Sequence, residues 1–116
     1  MTPVPRIGID AMGGDFGPTP VAEGAALAIR EWPNRFRLTL VGDEAEIRTA
    51  LKRAHVDASL VDVVHAAEKV DMGAKAVVAA RKAGTSLGVL TQMHKDGRLD
   101  GIFSDSANEY TDIILG

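Results

Sequence analysis

The fold is decided near the N-terminus, where a short apolar segment runs into a glycine-rich turn and then a helix start. Residues 6–15 read Arg-Ile-Gly-Ile-Asp-Ala-Met-Gly-Gly-Asp, and residues 18–20 read Pro-Thr-Pro. The alternating isoleucines favour a strand, and adjacent glycines let the backbone turn tightly with no Cβ in the way. Thr19 is the predicted N-cap of the next helix, because Pro20 suits the first helical position. The stretch therefore predicts a strand, a turn and a helix.

The same order of strand and helix repeats along the chain. Strands are predicted at 38–41, 59–64 and 100–104, and further helices after Asp43, Asp71, Thr85 or Ser86, and Ser106. The first helix is predicted to bury one apolar stripe, formed by Val21, Ala25, Ala28 and Trp32. Short connections between strands and helices imply right-handed crossovers and a mostly parallel sheet with both faces covered. We therefore expect a three-layer α/β/α domain over residues 1–116.

Composition excludes several classes of protein. The chain has 116 residues, 46% of them apolar and 25% charged, which is the balance of one globular domain. Thirteen basic against sixteen acidic residues give a net charge of −3, so the basic surface of a nucleic-acid-binding protein is missing. There is no cysteine, and no apolar run reaches the length of a transmembrane segment. We expect a cytoplasmic protein, with peripheral contact at a membrane left open.

Polar residues follow the predicted strands and should share one edge of the sheet. In parallel sheets, ligands bind beyond the carboxyl ends of the strands. That edge should carry residues 10–15, Gly42-Asp43, His65 and residues 104–106. Residues 10–15 could orient a donor or hold a cation, but spacing alone favours an ordinary turn in which the carboxylates bond backbone amides. The stretch is neither a dinucleotide fingerprint nor a phosphate-binding P-loop.

Residues 84–86, Gly-Thr-Ser, are the better candidate for binding an anion. Amides at a helix N-terminus, two hydroxyls and the nearby Arg81 and Lys82 would suit a phosphate group. The more common alternative is a glycine that ends one helix, followed by a hydroxyl that caps the next. The three histidines have no metal-ligand spacing, so neither a metal nor a cofactor is predicted.

Residues 7–15, Ile-Gly-Ile-Asp-Ala-Met-Gly-Gly-Asp, resemble the PlsX family of bacterial phosphate acyltransferases, and Leu-Val-Gly-Asp-Glu at 40–44 is similar in register. The resemblance implies part of a larger fold similar to isocitrate and isopropylmalate dehydrogenases, in a homodimer. It also implies transfer of a fatty acyl group from acyl carrier protein to inorganic phosphate. The product is acyl phosphate for phospholipid synthesis.

The resemblance implies a substrate- and phosphate-binding set and leaves the catalytic residue unassigned. The set is Asp10, Gly13, Gly14, Asp15, Arg81 and Ser86. Residues 104–109, Ser-Asp-Ser-Ala-Asn-Glu, differ from the family's Ser-Ala-Gly-Asn-Thr-Gly loop. We expect the chain to be the N-terminal portion of such a protein, as a fragment or a shortened relative, and not to complete a turnover alone. The alternative is a small non-catalytic α/β binding or regulatory module.

Overall fold

The computed structural model describes residues 4–12, 17–66 and 84–104, which form strands and helices in alternation. In chain order the elements are β1 (Arg6–Asp10), α1 (Thr19–Glu31), β2 (Arg37–Gly42), α2 (Glu44–Arg53), a 3-10 turn (Ala58–Leu60), β3 (Val61–His65), α3 (Ser86–Lys95) and β4 (Gly101–Phe103).

The four described strands form one sheet in the order β3-β2-β1-β4. All three neighbouring pairs are parallel, and in the register Ile9 lies opposite Leu40 on one side and Phe103 on the other. The chain steps from β1 to β2 to β3 in one direction, whereas β4 lies on the other side of β1. The predicted parallel sheet is confirmed, and the strand order reverses between β1 and β4.

Helices cover both faces of this sheet. Leu40 packs in one apolar cluster with residues of α1 and α2, while its neighbour Val41 packs in a second cluster with Leu90 of α3. Successive strand residues point to opposite faces, so a strand buried on both sides supplies both clusters. The three-layer arrangement is thus present in the described residues.

Two of the predicted helix starts are confirmed and one is wrong. The side chain of Asp43 accepts a hydrogen bond from the Glu46 amide at 3.1 Å, and Thr85 accepts one from the Gly88 amide at 3.0 Å. Thr19, however, is the first helical residue of α1, and its N-cap is Pro18, which makes no side-chain capping bond. Pro18 already has helical backbone angles (φ −80°, ψ −7°), so the helix begins one residue earlier than predicted.

The apolar stripe of α1 also differs from the prediction. Ala22 and Ala25 are buried at 1% and 4% exposure, whereas Trp32 is 53% exposed. The helix ends at Glu31, and Trp32 has φ −131°, so its side chain no longer follows the helical period. Including Trp32 in the buried stripe was therefore wrong.

The third strand begins later than its sequence suggested. It starts at Val61 rather than at Ser59. The carboxylate of Asp57 accepts bonds from both the amide and the hydroxyl of Ser59 at 2.9 Å, and this local bonding forms the 3-10 turn in front of the strand.

The helices predicted after Asp71 and Ser106 lie outside the described residues. Within 4–12, 17–66 and 84–104, no helix has the length and apolar content that a bilayer crossing requires.

Candidate functional site

Three polar side chains meet where the strand order reverses. Asp10 is the last residue of β1, Ser104 follows β4, and Ser86 is the first residue of α3. The Ser86 hydroxyl donates to Asp10 Oδ1 at 2.7 Å, and the Ser104 hydroxyl donates to Asp10 Oδ2 at 2.9 Å. The exposed fractions of Asp10, Ser86 and Ser104 are only 6%, 7% and 2%. We call these three residues the Asp10 cluster.

The alternation of side chains along the strands builds this cluster. Ile9 packs with the α1 and α2 cluster, so the next residue, Asp10, points to the opposite face, where α3 lies. On α3, Thr85 is the N-cap and therefore sets Ser86 at the first helical position. Strand ends and a helix start thus converge from segments far apart in the chain.

A glycine lets α3 lie close to β1. A Cβ atom at Gly8 would lie 2.5 Å from Leu99 Cδ1 and 2.6 Å from Leu90 Cδ2, closer than real Cβ contacts allow. The missing side chain therefore makes room for the apolar side chains that hold α3 against the strand. This close packing brings Ser86 within reach of Asp10.

The Asp10 carboxylate is well supplied with donors. The carboxylate accepts a third bond, from the Met12 amide to Oδ1 at 2.9 Å, in addition to the two from the serines. A buried carboxylate is stable only when such partners replace water, and the positive end of the α3 dipole adds to the effect. Three donors from separate segments fix the orientation of the carboxylate.

Among the described residues, Asp43 and His65 also lie on this edge, as predicted, but they bond the start of α2. Asp43 caps the helix, and the Nδ1 atom of His65 accepts a bond from the Glu44 amide at 3.1 Å. The amide of Ala66 bonds the carbonyl of Gly42 at 2.8 Å, which ties the ends of β3 and β2 together. The described polar residues therefore share one edge of the sheet, as predicted. The contacts of Asp43 and His65 form a second group there, separate from the Asp10 cluster.

The opposite edge of the sheet carries exposed ion pairs. Arg37, at the start of β2, bonds both carboxylate oxygens of Asp62 at 2.9 and 2.7 Å. Arg6, at the start of β1, pairs with Asp100 at 3.3 Å. Their hydrogen bonds to arginine hold the pKa of the Asp62 and Asp100 carboxyls below the usual value.

An apolar cavity of about 480 Å³ lies on the α1 side of β1 and β4, opposite the Asp10 cluster. The residues that line it have no polar side chain and include Ile9, Val21, Ala25, Leu38 and Phe103. Phe103 is 57% exposed at the edge of the sheet.

The structure brings together two of the six residues in the implied substrate-binding set. Asp10 and Ser86 are in direct contact, whereas Gly13, Gly14, Asp15 and Arg81 lie outside the described residues. The alternative role for Asp10, bonding a backbone amide in a turn, is also observed, at Met12. The substrate-binding role of all six stays a prediction.

Ser104 is predicted on the shared edge but is not part of the implied substrate-binding set. Its position directly after a predicted strand was the available signal. The β1–β4 pairing, which no local pattern encodes, makes it a neighbour of Asp10.

Comparisons of the sequence with known proteins indicate its family. A family model described as "Fatty acid synthesis protein" matches residues 5–107. The chain is 41% identical over 102 residues to a phosphate acyltransferase of Oleidesulfovibrio alaskensis, covering 87% of this chain and 29% of that protein. It is 39% identical over 100 residues to the phosphate acyltransferase of Pelotomaculum thermopropionicum, covering 85% and 28%.

A third relative, the phosphate acyltransferase of Nitratiruptor sp., is 36% identical over 99 residues, covering 85% of this chain. The chain spans less than a third of the length of these relatives, at 28% to 29%. Since the family model covers most of the sequence, the resemblance seen at residues 7–15 is confirmed: the chain belongs to the fatty acid synthesis protein family, of PlsX type.

Proposed function

We propose that this chain supplies part of the substrate site of a phosphate acyltransferase, which transfers a fatty acyl group from acyl carrier protein to inorganic phosphate. The observation that carries the proposal is the Asp10 cluster, which lies where the strand order reverses in a chain of this family. Open parallel sheets bind their ligands at that point, beyond the carboxyl ends of the strands.

The proposed reaction sets clear demands on the site. A phosphate oxygen attacks the thioester carbonyl carbon and forms a C–O bond, while the carbonyl electron pair moves to oxygen. The C–S bond then breaks, and the carrier thiolate takes up the proton that phosphate loses. The products are acyl phosphate and the free carrier thiol. Such a site must position the phosphate and stabilise the negative charge on the carbonyl oxygen.

The start of α3 offers donors for the phosphate. The first amides of a helix have no partners inside it, and they carry the positive end of its dipole. The Thr85 hydroxyl accepts a hydrogen bond from the Gly88 amide, and the amides of Ser86 and Leu87 are proposed to donate to the anion. Gly13, Gly14 and Arg81 are proposed to add amides and a positive charge, with Asp15 beside them.

A direct assay tests the proposal. The chain is incubated with acyl carrier thioester and phosphate, acyl phosphate is measured by mass spectrometry, and the melting temperature is followed as phosphate is added. Phosphate-dependent product supports acyl transfer, and stabilisation by phosphate without product supports a substrate-binding part. A folded chain that shows neither would favour the non-catalytic binding module.

Two hydroxyls of α3 provide a matched pair of variants for this assay. Ser86→Ala removes a member of the Asp10 cluster and should reduce the stabilisation by phosphate. Thr91→Ala removes a hydroxyl that only bonds the Leu87 carbonyl at 2.8 Å, so it should leave the phosphate response unchanged. Equal responses in both variants would count against a site at the α3 start.

The resemblance also carries proposals on assembly and location. We propose a homodimer and a cytoplasmic protein that can meet the membrane peripherally. Light scattering on the purified chain and sedimentation with phospholipid vesicles test these two points separately.

A further inference from the structure

The two hydroxyl protons of the Asp10 cluster are already used. A serine hydroxyl has one proton and two lone pairs, and an ionised carboxylate only accepts. Ser86 donates its proton to Oδ1 of Asp10 and Ser104 donates its proton to Oδ2. The hydroxyl of Ser86 can therefore offer a ligand only its lone pairs.

We infer that Asp10 is a specificity-determining residue. Because it fixes the Ser86 hydroxyl as an acceptor, the site selects an oxyanion that still carries a proton. The ligand class is a protonated phosphate, as opposed to a fully ionised oxyanion of the same shape such as sulfate. The inference rests on the proposed function, because it concerns the same phosphate site.

The chemistry of the two anions gives the reason. Inorganic phosphate retains a proton at neutral pH, and its P–OH group donates to a lone pair of Ser86 while its other oxygens accept from amides. Sulfate has no proton at that pH. One of its oxygens would face the Ser86 lone pairs and the Asp10 charge with no hydrogen between them. Such unpaired contacts disfavour the binding of a wrong ligand.

Rearranging the Asp10 cluster so that it donates a hydrogen bond to sulfate is unfavourable. If Ser86 turned its proton toward sulfate, the Asp10 carboxylate, only 6% exposed, would lose one of its three donors. Leaving a buried charge short of a partner is unfavourable. The carboxylate itself is held by donors from three segments, so it cannot rotate without breaking the other bonds.

The expected preference for phosphate over sulfate can be compared with that of other sites that bond a substrate hydroxyl. A site built to bond a substrate hydroxyl can reject the analogue that lacks it by about 10⁴-fold. Ser86 is one such acceptor, so we expect a smaller preference, of about tenfold or more for phosphate over sulfate.

The test measures the dissociation constants of phosphate and of sulfate for this chain by titration calorimetry, at neutral pH and constant ionic strength. In Asp10→Ala, no carboxylate is left to accept the serine protons, so the Ser86 hydroxyl is released to donate its proton to a ligand. The preference for phosphate should then fall to near unity. Ser86→Ala serves as the second variant if Asp10→Ala does not fold, and it should weaken phosphate binding more than sulfate binding.

Asp43→Asn is the matched control. It removes one negative charge from the same edge of the sheet and keeps a residue that caps helices well. Both anions should then bind slightly better, with their ratio unchanged. An equal change of ratio in both aspartate variants would mean that net charge, not the direction of the hydroxyl protons, sets the preference, and the inference would be overturned.

The outcomes separate the inference from the function on which it rests. Equal binding of phosphate and sulfate by the unmodified chain contradicts the inference alone, since the phosphate site still exists. Binding of neither anion contradicts the proposed phosphate site itself, and the inference with it.

Discussion

At the scale of single residues, the exposed ion pair of Arg37 and Asp62 makes the free energy of unfolding depend on pH. The hydrogen bond from Arg37 is the main reason that the pKa of Asp62 lies below its ordinary value of 3.8, although partial burial opposes the shift. A carboxyl with a lowered pKa in the folded state stabilises the protein above its unfolded pKa. That stabilisation is lost as the pH falls through the folded pKa.

We therefore predict that Asp62→Asn flattens the acid side of the stability profile. The free energy of unfolding should fall less between about pH 4 and pH 2 in the variant than in the unmodified chain. The difference should stay below about 1 kcal/mol, because both side chains are about half exposed. Urea unfolding at a series of pH values measures it, and Arg37→Gln should give the same flattening. Parallel profiles for all three proteins would contradict the prediction.

A second prediction at this scale concerns Gly8. Gly8→Ala should lower the free energy of unfolding by about 1 to 3 kcal/mol, because the new methyl group overlaps Leu99 and Leu90. Gly101→Ala is the control, since a Cβ atom there meets nothing within 4 Å and the residue lies in a neighbouring strand of the same sheet. Denaturant unfolding of both variants provides the measurement, and equal stability of the two would show that α3 packs less closely than described.

At the scale of elements, helix starts differ in how their first amides are bonded. The amide of Glu46 in α2 bonds the side chain of Asp43, whereas α1 has no side-chain cap. We predict that Asp43→Ala lowers the free energy of unfolding by about 1 kcal/mol and that Asp43→Asn leaves it nearly unchanged.

Thr19→Ala provides the contrast to that prediction. Thr19 is exposed and does not cap α1, so its replacement should change the stability by less than about 0.5 kcal/mol. Thermal unfolding distinguishes the two sites. A loss at Thr19 as large as at Asp43 would show that Thr19 does act as a cap.

At the scale of the whole molecule, an apolar groove of about 480 Å³ lies between α1 and the described sheet and reaches Phe103 of β4. Phe103 is 57% exposed. Exposed apolar patches and sheet edges favour association between molecules.

We predict that Phe103→Lys reduces self-association of the chain at high concentration without lowering its thermal stability. Leu60→Lys, which changes a residue 43% exposed beside the other edge strand, should leave the association unchanged. Analytical ultracentrifugation over a concentration series measures both. If Phe103→Lys associates as strongly as the unmodified chain, the groove plays no part in contacts between molecules.

Much of the architecture could be predicted from local patterns. Alternating apolar residues located the strands, and the caps Asp43 and Thr85 located two helix starts, because both signals depend on neighbours within a few positions. The errors at Thr19, Trp32 and Ser59 all fall at element ends. There, a one-residue choice between similar backbone states depends on bonds that the sequence pattern does not specify.

Local sequence patterns were sufficient to predict the parallel α/β class, the family, and the edge of the sheet on which polar residues gather. They did not predict that β4 pairs with β1 and that α3 packs beside them, which lets Ser104 and Ser86 donate to the same carboxylate, that of Asp10. The difference lies in the distance along the chain. Period and capping act within a helix or a strand, whereas the Asp10 cluster forms between residues 76 and 94 positions apart, which only packing can bring together.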